Sequence, residues 1–210
     1  MLLVLLWAVR LLHNYFRREG WNFGLREDWR YADMRAAHGK LWLVSQFFAV
    51  SLAQHGMLVG LTMPLQPGMA ATGAPLNFLD AMAVFVCLAG ITIGMFADNQ
   101  LWEYMQRPDK PLVLQTGLWS YSRHPNHLGE QCWWVGLLML GVAAKWRWWP
   151  ICFGVMFNHP LDTFVTLPLI EDRMLKKAER AHAYRDYQLK TPLLWPFLRW
   201  PGAVTAKKTL

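Results

Sequence analysis

Four stretches of this chain are apolar over a length close to the thickness of a bilayer. Residues 41–63 and 76–97 each reach the ~20 mostly apolar residues that a spanning helix needs; the second carries one acid, Asp80, near its start. Residues 128–144 are shorter and follow a polar motif, and residues 150–170 are interrupted by His159, Pro160 and Asp162. The expected fold class is therefore all-α: a multi-span transmembrane helical bundle with a cytoplasmic C-terminal helix. Charged residues are only 17% of the chain, short of the roughly 25% of a soluble domain. Many of the thirteen tryptophans flank the apolar runs (Trp42, Trp102, Trp119, Trp133, Trp134, Trp146, Trp148, Trp149). That suits a ring which prefers the membrane interface, where its N–H stays wet.

Charge orients the expected bundle. The first loop, 10–40, holds Arg10, Arg17, Arg18, Arg26, Arg30, Arg35 and Lys40, whereas 64–75 has no charge. Residues 98–126 hold Arg107, Lys110 and Arg123, and the tail beyond Ile170 carries both signs. Cytoplasmic loops are rich in Lys and Arg, so these two basic loops and the tail are expected in the cytoplasm, with the chain integral to a membrane such as a bacterial inner membrane. Lys145 and Arg147 are the exception and snorkel towards headgroups. A net charge of +7 in such loops fits a lipid bilayer or an anionic cofactor, not nucleic acid. Cys87, Cys132 and Cys152 lie in apolar segments without CxxC spacing and read as buried hydrophobes.

Residues 1–200 read as one domain and 201–210 as a flexible tail. Residues 1–12 are too short to span and look like the second half of a helix whose beginning is absent. The stretch 171–189 reads as one helix, with Glu171 and Asp172 at the positive end of its dipole and Thr191-Pro192 as its stop.

The chemistry concentrates in Thr116-Gly117-Leu118-Trp119-Ser120-Tyr121-Ser122-Arg123-His124-Pro125-Asn126-His127-Leu128-Gly129-Glu130. Polar groups beside a membrane helix are costly unless paired or facing a wet cavity. Asn126 and Glu130 are four apart and share a helix face. Asp98 follows an apolar helix and either accepts hydrogen bonds from an amide or ribose, or caps the helix end. Arg107 and Lys110 suit phosphates. Tyr15, near Arg18, suits proton donation to a substrate oxygen. No metal spacing appears, so no metal is expected. Without GxGxxG or a Walker sequence, any nucleotide would need a helical pocket.

The 116–130 motif, followed by Trp133-Trp134-Val135-Gly136, resembles the DUF1295 family, which is related to the C-terminal domain of steroid 5-alpha-reductases. So do Arg26-Glu27-Asp28-Trp29-Arg30-Tyr31, Asp98-Asn99-Gln100-Leu101, Pro168-Leu169-Ile170-Glu171, Tyr184-Arg185-Asp186-Tyr187 and Thr191-Pro192. The resemblance covers nearly the whole chain. It implies an NADPH-dependent reductase of a carbon–carbon double bond conjugated to a carbonyl, in a lipophilic, steroid- or isoprenoid-like substrate. It implies that Asp98, Asn126, Glu130, Asp172 and Tyr187 line the NADPH pocket and that Arg107, Lys110 and Arg123 hold its phosphates. Tyr121, His124, Glu171 and Tyr184, from the matching motifs, complete the cofactor-binding set, and Tyr15 falls where that branch has a proton-donating Tyr. Asn126-His127 departs from the commoner Asn-Tyr, and the family's first helices are absent. The Arg-His-Pro element also resembles membrane methyltransferases that bind S-adenosylmethionine, with Glu171-Asp172 as their late acid pair. That activity, and a non-enzymatic remnant of the scaffold, are the alternatives.

Overall fold

The computed structural model describes residues 1–18, 20, 29–66, 75–144 and 150–198. The expectations for Arg26, Glu27 and Asp28, for Lys145 and Arg147, for Trp146, Trp148 and Trp149, for most of the uncharged loop and for 201–210 lie outside the described residues. Among those described, the regular structure is helical throughout and no residue is in a strand. The elements are α1 (Leu2–Arg18), α2 (Trp29–His38), α3 (Trp42–Ser45), α4 (Ala53–Thr62), α5 (Phe78–Gln106), α6 (Pro125–Ala143), α7 (Pro150–Leu161), α8 (Leu167–Leu175) and α9 (Ala178–Lys190). A 3₁₀ turn, Gly39–Leu41, and a π segment, Gln46–Leu52, join α2 to α4 into one helical stretch. A second π segment, Asp162–Thr166, joins α7 to α8.

Two stretches, Trp29–Thr62 and Phe78–Gln106, are long and apolar enough to cross a membrane. Only 6% and 22% of their most apolar windows is buried, so their apolar side chains point outward, unlike those of a soluble core helix. This supports association with a membrane.

The chain divides into two compact units, Met1–Ala83 with Leu137–Asn158, and Val84–Gly136 with His159–Leu210. In the first, Asn77 and Asp80 cap α5 reciprocally. Asn77 Oδ1 accepts from the Leu79 amide at 2.8 Å, and Asp80 Oδ2 accepts from the Asn77 amide at 2.8 Å. Asn77 Nδ2 also donates to the Ala143 carbonyl at 3.3 Å, tying this cap to the end of α6. In the second unit α5 and α6 touch backbone to backbone. A Cβ on Gly90 would stand 2.6 Å from the Gly129 oxygen, and one on Gly129 2.6 Å from the Gly90 oxygen. Leu128, Leu167 and Leu194 form one buried cluster, and Val113, Tyr184 and Tyr187 another.

Two sequence expectations are corrected. Asp98 does not lead out of its helix: α5 runs on to Gln106, because nothing between Asn99 and Gln106 breaks a helix before Pro108. Residues 171–189 are not one helix. Glu171 lies inside α8, which continues the α7 stretch, and the break comes at Lys177, whose backbone is extended at φ −86°, ψ 101°. The stop at Thr191 does hold: α9 ends at Lys190 and Thr191 is extended, as a residue before proline should be.

The helix continues through Pro160 and Asp162, because the π segment absorbs one extra residue there. At ~100° per residue, Asp162 and Glu171 would lie on opposite sides of an unbroken α-helix. With one residue absorbed, they are roughly 80° apart.

Candidate functional site

The second unit buries a carboxylate under one ion pair and three hydrogen bonds. Glu171 Oε1 stands 3.1 Å from Arg123 Nη1, 3.3 Å from His124 Nε2 and 3.3 Å from the Tyr184 hydroxyl. Its Oε2 accepts from Gln188 Nε2 at 2.9 Å. Each partner has a local reason to be there. Arg123 and His124 immediately precede α6, which starts at Pro125. The Arg123 amide donates to the Pro192 carbonyl at 3.0 Å and the His124 amide to Ser122 Oγ at 3.2 Å. Tyr184 and Gln188 are one turn apart on α9. Tyr187, also on α9, donates its hydroxyl to the Trp119 carbonyl, with the Ser122 carbonyl at 3.3 Å. On the α5 side, Gln100 Oε1 accepts from the Leu118 amide at 2.9 Å and Trp119 Nε1 donates to the Ala97 carbonyl at 3.2 Å. The motif is thus clamped from both sides.

Burial sets the protonation states. It pushes the His124 imidazole below its ordinary value, against the opposing hydrogen bond to Glu171, so His124 is neutral and donates through Nε2–H. Burial alone would raise the Glu171 carboxyl, but the His124 hydrogen bond and the Arg123 charge outweigh it and hold the group below the usual range. Burial, and then the Glu171 charge, push the Tyr184 phenol up, and burial does the same to Tyr187. Both tyrosines therefore act as neutral donors.

Of the residues singled out in the sequence, Arg123, His124, Glu171, Tyr184 and Tyr187 meet here. Asn126 and Glu130 follow on α6, both half-buried, and Asp98 is buried in α5. Arg107, Lys110 and Asp172 are exposed, and Lys110 Nζ donates to the Met105 carbonyl at 3.3 Å. The Tyr121 ring is 65% exposed. Tyr15 belongs to the first unit, on α1, with its ring edge-on to Phe16. Sequence reasoning did not single out Gln188 or Ser122. The i, i+4 spacing of Gln188 from Tyr184 was the available signal.

Three buried polar atoms in the motif have no hydrogen-bond partner among the described residues: the acceptor Asn126 Oδ1 and the donors Arg123 Nε and Nη1, the last held to Glu171 as an ion pair only. A buried group left unmatched costs roughly 1–3 kcal/mol. An amide or aminopurine edge offers both an N–H and an acceptor, the two kinds of partner these atoms lack. NADPH carries both kinds of edge and S-adenosylmethionine carries the aminopurine, so the polar groups present are of the right chemical kind for an adenine-containing cofactor.

A second polar network adjoins the first. Asp162, from the π segment, accepts from His127 Nδ1 at 3.0 Å (Oδ1) and 3.1 Å (Oδ2), and from Gln131 Nε2 at 2.9 Å. Gln131 Oε1 lies 2.6 Å from His159 Nδ1. The His127 ring stands edge-on to His124, centroids 5.8 Å apart.

A family model described as "Protein of unknown function (DUF1295)" matches residues 1–191. An uncharacterized protein of Schizosaccharomyces pombe is 29% identical over 161 residues, which is 67% of this chain and 46% of that protein. The chain thus spans about half the length of that curated relative. No solved structure matches the chain significantly.

Proposed function

We propose that this chain, which belongs to the DUF1295 family, is a multi-span membrane oxidoreductase that uses NADPH to reduce a conjugated carbon–carbon double bond in a lipophilic substrate. In this reading its basic loops and C-terminal helix face the cytoplasm, and its relation to the steroid 5-alpha-reductases sets the reaction class. The observation that carries the proposal is the set of buried, unmatched atoms at the start of α6, Asn126 Oδ1 with Arg123 Nε and Nη1, the Arg123 side chain being held by its ion pair with Glu171. Such preorganisation lets a ligand gain hydrogen bonds without first ordering the groups that make them.

When bound, NADPH supplies the hydride. Asn126 and Arg123 would orient the cofactor's polar edge, Glu171 would fix Arg123 and His124, and exposed Arg107 and Lys110 are chemically suited to phosphate. The apolar helices would keep water from the reacting centre. Methyl transfer is the weaker reading, because the acid it would need, Glu171, is already engaged by four side chains of the chain itself.

The test is a thermal shift of the detergent-purified chain with NADPH, NADH and S-adenosylmethionine, followed by NADPH oxidation with progesterone and with farnesal as enone and enal probes. A ligand at a hundred times its dissociation constant stabilises by about 2.7 kcal/mol. A shift with NADPH that Asn126→Ala abolishes, together with turnover of either probe, is expected. A shift with S-adenosylmethionine alone would replace the reading with methyl transfer, and no shift with any ligand would leave a non-enzymatic scaffold. Tyr15→Phe should slow reduction without weakening NADPH binding if Tyr15 has the role the resemblance gives it.

A further inference from the structure

The network around Asp162 has a fixed direction of donation. A carboxylate only accepts, so both groups that face Asp162 must donate to it. Gln131 therefore presents its NH₂ to Asp162, which leaves its Oε1 to accept from His159 Nδ1–H. His127 likewise carries its proton on Nδ1. In both neutral imidazoles the open nitrogen is then Nε2, and among the described residues His127 Nε2 has no hydrogen-bond partner. Gln131 is 1% exposed and is locked at both ends, so this polarity is rigid. His127 is less enclosed, with a side chain 24% exposed.

Two further observations separate this network from simple helix–helix glue. An ionisable group within an apolar helical stretch is costly and marks function more often than packing. Moreover, Asp162 opens a π segment two residues after Pro160, and such segments concentrate at functional positions. His127 also lies one residue from Asn126 and edge-on to His124, so it adjoins the candidate cofactor-holding cluster.

We propose that His127, oriented by Asp162 and braced through Gln131 to His159, is the acid that completes reduction by protonating the substrate. The inference rests on the reductase reading above. NADPH, when bound, would supply the hydride that adds to the β-carbon, and the double-bond electrons would move onto the carbonyl as an enolate. The Nε2–H bond of protonated His127 then breaks and its proton forms the new bond at the α-carbon. The products are the saturated carbonyl compound, NADP⁺ and neutral His127, which regains a proton from water. Asp162 stabilises the imidazolium and fixes the ring, the part a carboxylate plays behind any acid–base histidine. The titratable groups facing His127 are Asp162 and, from the preceding turn, His124, with Glu171 and Arg123 behind it.

The experiment uses the full chain in detergent, unsubstituted and as His127→Gln and Asp162→Asn. Nitrogen-15 NMR of histidine-labelled protein reads the His127 tautomer without any turnover. The Nδ1–H form is expected in the unsubstituted chain. Asp162→Asn should favour Nε2–H, because the single Asn oxygen accepts from Gln131 and turns its NH₂ towards His127. With progesterone or farnesal, both variants should keep the NADPH thermal shift and lose roughly 10²-fold or more in kcat. An Nε2–H tautomer in the unsubstituted chain overturns the proposal, as does a His127→Gln kcat within twofold of the parent. If the unsubstituted chain neither binds NADPH nor reduces either probe, the reductase reading fails and takes this one with it. Reduction that survives His127→Gln removes the acid alone.

Discussion

Arg123 Nη1 stands 3.1 Å from Glu171 Oε1, with only 2% and 8% of the two side chains exposed. Removing one partner of a buried pair is far worse than removing both, because the survivor keeps an unmatched charge. Glu171→Ala should therefore destabilise by about 3–5 kcal/mol, while Arg123→Met with Glu171→Leu should cost less than either single change. Thermal unfolding of the four variants in one detergent checks this. Additive losses would mean that the pair is not coupled.

Acid should weaken the fold through the same cluster. His124 is held neutral by burial, so below pH ~6.5 the unfolded chain binds a proton that the folded chain refuses. Stability then declines as pH falls, by at most about 1.4 kcal/mol per pH unit. Glu171, held below the usual carboxylate range, adds a loss of the same sign at lower pH, once the unfolded carboxylate protonates. Tm should drop from pH 7 to pH 5, and His124→Gln should flatten that drop. A flat profile in the unsubstituted chain would contradict a neutral His124.

Tyr187→Phe removes the hydroxyl that meets the carbonyls of Trp119 and Ser122 and leaves both without that donor. A loss of about 1–3 kcal/mol is expected. Faster hydrogen exchange at residues 118–123, with little change along α5, would locate the effect. Uniform exchange across the chain would argue against a local clamp.

Gly129→Ala should be among the costliest single-methyl additions in the chain. Its Cβ would come within 2.6 Å of the Gly90 oxygen and the Gly94 nitrogen, both backbone atoms that cannot rotate away. Overpacking of this kind costs roughly 1–3 kcal/mol. By contrast, alanine at Gly56, inside α4 where nothing lies within 4 Å, should raise stability slightly, by about 0.5–1 kcal/mol, because alanine is the better helix former.

The helical class was legible from apolar run length, and the 116–130 motif landed at the buried cluster because polar density beside an apolar helix has to be satisfied. Glu171, Tyr184 and Tyr187 were legible only through their resemblance motifs. Their meeting with Arg123 depends on pairing α9 with the start of α6, which no local pattern encodes. Asp98 was misjudged because an acid after an apolar run looks like an end, although the breaker stands ten residues later at Pro108. The pairing of His127 and Gln131 with Asp162 was not legible. It depends on helical phase, and on how the chain accommodates Pro160, which periodicity cannot reveal.

The π segment at Asp162–Thr166 makes chain length itself a chemical variable. Deleting one residue there would restore an ordinary helix and leave Asp162 and Glu171 at the same ~80°, because the segment already takes one residue out of the helical count. An ordinary helix at the present length would instead set the two acids on opposite sides. A related chain with the same acids and histidines therefore keeps them on neighbouring sides in one of two ways: with the π segment at this spacing, or without it and one residue shorter.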